Sequence, residues 1–91
     1  MQKRLECTVI GRVQFVMYRD FAARAARNLG LVGTVKNNAD KTVTVIAEGD
    51  ESRLAAYLKK LAQGSMLSRV DRIDVVWREP AGTFSSFDIV Y

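Results

Sequence analysis

Two alternating, β-branched segments, LVGTVKN at 31–37 and TVTVIAE at 42–48, are separated by only the four residues NADK. So short a connection leaves no room for a crossover helix, so the two segments form an antiparallel hairpin. What flanks this hairpin is helical. In DFAARAARNL, 20–29, the residues Phe21, Ala22, Ala25, Ala26 and Leu29 fall on one stripe, with Arg24, Arg27 and Asn28 opposite. Gly30 follows as a C-terminal cap. On the other side Asp50 is placed to cap a second helix, in which Leu54, Tyr57, Leu58 and Leu61 recur at helical spacing. Lys59 and Lys60 stand near its end, where the helix dipole favours cations, and Gly64 stops it.

The outer segments are strands. RLECTVIGRV, 4–13, alternates, with Leu5, Cys7 and Val9 on one face and Glu6, Thr8 and Ile10 on the other. RVDRIDVVWR, 69–78, reads as a fourth strand. FSSFDIVY, 84–91, reads as a short fifth, alternating through Phe87, Ile89 and Tyr91 after the turn EPAGT. The order is β-α-β-β-α-β plus a terminal strand. It predicts an α+β, ferredoxin-like split βαβ fold in one domain over 1–91: an antiparallel sheet with two helices on one face. Cys7, Tyr57, Val75 and Trp77 are expected in the core. Arg69, Arg72 and Arg78 are expected on a solvated face.

Several chemistries are excluded by composition. The chain has no histidine and a single cysteine, which rules out a Cys/His zinc site, a Ser-His-Asp triad and a Cys-His dyad. One thiol cannot form an internal disulfide, and this fits a cytoplasmic setting. No apolar run approaches a membrane span, and the first residues carry no uninterrupted apolar stretch of the signal-peptide kind. The net charge of +4 suits an anionic ligand without specifying one.

An anion has an obvious place to bind. Strand one ends near Val13 and helix one starts near Asp20, so about six residues, Gln14 to Arg19, join them. This connection delivers unpaired backbone N–H groups to a helix N-terminus, where the dipole is positive. Arg19 closes it with a planar fork that matches phosphate geometry. Read alone, Arg19 is equally a solvated charge at a helix start, and Asn37 a hairpin asparagine beside Asn38 and Asp40.

At this point a resemblance becomes specific. Gly11, Val13, Gln14, Val16, Tyr18 and Arg19, followed in register by Leu29, Gly30, Leu31, Gly33, Val35 and Asn37, resemble the two signature blocks of the acylphosphatase family. AEG at 47–49 and FDI at 87–89 extend the likeness, which runs from about residue 5 to 91. The resemblance implies metal-independent hydrolysis of the carboxyl–phosphate bond of acyl phosphates, with no cofactor. It implies that Arg19 and the backbone N–H groups of Gln14, Phe15, Val16, Met17, Tyr18 and Arg19 hold the phosphoryl group. Asn37 would hold the attacking water. The expected partners are a small-molecule acyl phosphate, and inorganic phosphate or sulfate as a competitor; no nucleic acid, no membrane and a monomer are expected.

Three positions depart from the family pattern: Phe15 and Lys41 stand where glycine is usual, and Thr34 where an aromatic is usual. Lys41 is expected to carry strain of order 1 kcal/mol if its turn is left-handed. Phe15 lies inside the presumed cradle. An extended start to the loop is expected to direct its side chain away from the phosphate, so that it walls the cradle without filling it. The alternatives are an impaired, anion-binding relative in which Phe15 is a plug, or an RNA-binding module of similar topology. The second is disfavoured because strand three has no aromatic to stack on a base.

Overall fold

A computed structural model describes residues 1–91. The elements are β1 (Gln2–Arg12), α1 (Tyr18–Asn28), β2 (Val32–Asn37), β3 (Val43–Asp50), α2 (Glu51–Gln63), β4 (Arg69–Arg78) and β5 (Phe87–Val90). They form a five-stranded sheet in the order β4-β1-β3-β2-β5 with the two helices packed on it. The hairpin at 38–41 pairs β2 with β3 antiparallel, Val35 opposite Val45. Lys41 has φ +74°, so its turn does demand a left-handed residue. No helix is long and apolar enough to cross a membrane.

One face of the sheet supplies Leu5, Cys7, Val9, Val35, Val43, Val45 and Ala47 to the core, as strand alternation requires. The helices cover it with small residues and two tyrosines. Tyr18 of α1 donates its hydroxyl to the Leu61 carbonyl of α2 at 2.8 Å, and Tyr57 of α2 donates to the Ala22 carbonyl of α1 at 2.9 Å. Both rings are buried, so each hydroxyl needs its partner. These bonds tie the helices to each other in both directions. The buried stripe of α1 is Tyr18, Ala22, Ala23 and Ala26, while Phe21, Ala25 and Leu29 are only partly covered. The helix starts at Tyr18, earlier than its periodicity alone suggests, and the buried ring there rotates the stripe. Arg27 is exposed, as expected opposite the stripe, and it also donates to the Phe87 carbonyl at 3.0 and 2.8 Å, which holds β5.

Two expectations are corrected. The sheet is mixed: β5 runs parallel to β2, with Val35 opposite Ile89. β4 lies at one edge and β5 at the other, so residues 79–86 must cross the face away from the helices. There Glu48 is buried and accepts from the backbone N–H groups of Ala81 and Gly82, and from Arg4 at 3.0 Å. Burial opposes ionisation of Glu48, but these donors outweigh it and its pKa is lowered. The crossing lies at the end of the sheet where β4 stops, since Arg78 pairs with Arg4 near the start of β1. β5 is therefore left to run along β2 toward the opposite end.

Trp77 is the second correction. Val75 packs against the core, but Trp77 is 43% exposed on β4, an edge strand with a neighbour on one side only. The basic edge is solvated and internally paired: Arg69 with Asp71, Arg72 with Asp74, Arg78 with Glu6.

Candidate active site

β1 leaves the sheet through a bulge. Its register against β4 shifts between Ile10 and Gly11. Gly11 has φ +144°, and a Cβ there would stand 2.1 Å from the Arg69 carbonyl oxygen, so only glycine fits. Val13 then anchors the chain in the core, and the loop begins.

Positive φ alternates through this loop. Phe15 (+61°) and Met17 (+60°) are its only left-handed residues, separated by Val16 and followed by the first helical residue, Tyr18. Alternation of hand turns successive N–H groups to one side and makes an anion-binding concavity. No backbone N–H from Gln14 to Arg19 donates to another backbone group; the first that does is Phe21, to the Met17 carbonyl. The loop is held from both sides. Gln14 donates through Nε2 to the carbonyls of Asn38 at 2.8 Å and Thr42 at 2.9 Å, in the hairpin. Ser65 Oγ, beyond α2, donates to the Val16 carbonyl at 3.5 Å. The buried Tyr18 pins its end.

Phe15 is 97% exposed and stands among the residues around the loop's cavity without packing into the core. Its backbone is not the extended one expected. Phe15 occupies the left-handed conformation that glycine would adopt freely, at a cost of order 1 kcal/mol.

A cavity of about 390 Å³ opens beside the loop, and both Arg19 and Asn37 line it. Asp20, next to Arg19, is engaged by Arg24 at 2.7 Å, and Arg19 has no carboxylate partner. Its guanidinium lies over the ring of Tyr91, 4.8 Å from the centroid. Tyr91 reaches it because β5 runs parallel to β2. Asn37 is at the last position of β2. Its Oδ1 is the only buried side-chain oxygen or nitrogen without a partner. The hairpin work falls to its neighbour: Asn38 Nδ2 donates to Thr42 Oγ1 at 2.9 Å and Thr44 Oγ1 at 2.7 Å. Asn37 is therefore spared for the cavity.

All six loop residues and Asn37 thus meet at one end of the sheet, but not in equal roles. The side chains of Val16 and Tyr18 pack inward. That of Gln14 braces the hairpin. Sequence periodicity marks Tyr91 only as a strand residue. Its position on Arg19 depends on the direction of β5, for which local periodicity carries no signal.

Fold and loop define the class: a small α+β domain with a cradle of free backbone donors, a guanidinium and an amide at one end of its sheet. Sequence comparison narrows it. A family model described as Acylphosphatase matches residues 5–89. The acylphosphatase of Thermus thermophilus is 47% identical over 79 residues, 87% of this chain and 90% of that protein. That of Methylococcus capsulatus is 42% identical over 88 residues, 97% of this chain and 96% of that one. The crystal structure of acylphosphatase from Bacillus subtilis superposes with a TM-score of 0.95 at 35% identity, over 98% of this chain and 99% of that chain. The chain belongs to the acylphosphatase family.

Proposed function

We propose that the chain hydrolyses the carboxyl–phosphate bond of acyl phosphates at the 14–19 loop, releasing a carboxylate and inorganic phosphate. The observation that supports this most is that Asn37, whose Oδ1 has no partner in the chain, lines one cavity with Arg19 beside the free N–H groups. Arg19 and the N–H groups hold the phosphoryl oxygens and stabilise the charge they carry in the transition state. The side-chain amide of Asn37, which can both donate and accept, holds a water and aims the water's lone pair at phosphorus. The water oxygen bonds to phosphorus as the acyl oxygen leaves with its electron pair, and the water's proton passes to phosphate or solvent. Asn37 is no strong base, and none is required, because a carboxylate leaves readily. Positioning and charge stabilisation are enough.

The full exposure of Phe15 speaks against a plug. Against an RNA module, the strap-bearing face of β1 and β3 presents Arg4, Glu6, Thr8, Thr44, Ile46 and Glu48, with no aromatic among them. The proposal includes a monomer, supported by a β4 edge dense in charges that discourage edge pairing. It also includes a cytoplasmic setting. Burial pushes the Cys7 thiol up to about 12, which makes it a poor nucleophile.

The test is hydrolysis of benzoyl phosphate. Turnover is expected to survive a chelator, and inorganic phosphate or sulfate is expected to inhibit competitively. Absence of turnover, or phosphate inhibition that leaves KM untouched, would overturn the reading.

Tyr91 supplies a finer test. A guanidinium over an exposed aromatic face is worth about 0.5–1 kcal/mol. Tyr91→Ala is therefore expected to raise KM about 2–5-fold as Arg19 loses its preferred orientation, while Tyr91→Phe restores it. Equal kinetics in all three proteins would mean that the stack positions nothing.

A further inference from the structure

A second cleft, of about 460 Å³, lies against the same loop between α1 and the α2–β4 connection. Val16 and Phe21 form its half-buried floor, and Met17, Met66 and Leu67 stand around it. These last three are 71%, 98% and 69% exposed, so the core does not use them. Met17 lines both this cleft and the Arg19–Asn37 cavity. It is a shared wall, and a soft one, since a methionine side chain adapts to what it covers.

The linings of the two cavities share Met17 alone, and the loop between them is braced toward two different elements. Gln14 ties the loop to the hairpin that carries Asn37. Ser65 ties it to the connection that carries Met66 and Leu67. In phosphoryl transfer the attacking and leaving oxygens stand roughly in line through phosphorus. A water on the Asn37 side sends the leaving carboxylate toward Met17 and the second cleft. We infer that this cleft is the acyl-group subsite, and that the chain favours acyl phosphates whose acyl group is apolar and uncharged. The one charged side chain lining the cleft is Arg24, which is already paired with Asp20 at 2.7 Å, so nothing there is free to recognise a second carboxylate on the substrate.

The inference rests on the hydrolytic reading above, and the experiment separates the two. Values of kcat/KM for benzoyl and acetyl phosphate are compared in the natural protein, Met66→Ser/Leu67→Ser and Leu67→Met. Both positions are exposed in a surface connection, and unchanged melting confirms the fold. The benzoyl-to-acetyl ratio is expected to fall about tenfold in the double serine variant, the loss falling on benzoyl phosphate, and to be kept in Leu67→Met, because removing apolar contacts from such a pocket has about this effect. A ratio unchanged by the double substitution, or losses equal on both substrates, overturns the subsite while leaving the hydrolytic reading intact. No hydrolysis of either substrate by the natural protein overturns both.

Discussion

Arg19→Ala is expected to lose about a thousandfold or more in kcat/KM, the scale of losing an arginine that stabilises phosphoryl-transfer charge. The loss should not come from misfolding. The Arg19 side chain makes no hydrogen bond or ion pair within the chain, and its guanidinium stacks on Tyr91. Stability should therefore fall by no more than the worth of that stack, about 0.5–1 kcal/mol. Arg19→Lys should recover little. A lysine supplies a point charge on a flexible stem, whereas the cradle needs two parallel donors in a plane. Turnover near normal in Arg19→Ala would remove the site from this loop altogether.

Asn37→Ala separates orientation from binding. Its effect is expected in kcat, about 10²–10³-fold, comparable to losing one preorganised polar group at a reacting centre. KM should move little, because the water is not part of the bound substrate. Stability is expected to change in the other direction. A buried acceptor without a partner costs about 1–3 kcal/mol, and alanine removes it. A variant that is slower yet at least as stable is the outcome expected of a group kept for function at the expense of folding. If KM carries the loss, Asn37 holds substrate and the role given to it is wrong.

The signature residues mix two kinds of requirement. Gly11 and Gly33 match the family pattern, and at each a Cβ would meet backbone. A Cβ on Gly33 would lie 1.8 Å from the Ile46 carbonyl oxygen, so it is there for strand packing. Tyr18 also matches, and its ring is buried with its hydroxyl on Leu61. Arg19 and Asn37 match as well, and on the proposed reading for the opposite reason: both line the cavity, Arg19 without a carboxylate partner and Asn37 with an Oδ1 that no group of the chain meets. From sequence these two kinds look alike, because a motif records which residue is required and not which force requires it. Burial and hydrogen bonding tell them apart.

Phe15 shows the same limit. An aromatic in place of a glycine invites the reading of a plug. Exposure, which the sequence does not print, weighs against that reading: Phe15 at φ +61° is 97% exposed and the neighbouring left-handed Met17 71%, both standing at the cavity's wall.

What the sequence determined by itself is the set of elements and their order. Helical and strand periodicities are local, and the four-residue hairpin between the two helices leaves one way to pair its strands. The loop that carries Arg19 is local too, bounded by a strand end and a helix start. Only the tertiary structure decided the direction of β5, the exposure of Trp77, the bracing of the loop by Gln14, and the placing of Tyr91 on Arg19. Each of these joins residues distant in the chain: Gln14 lies 24 and 28 residues from its two acceptors. The direction of β5 follows from the strap at 79–86 having to cross the open face, where the buried Glu48 holds it. Local pattern says which face of a strand is apolar. Which strand it lies beside, and which way it runs, is settled by how the whole sheet closes its core.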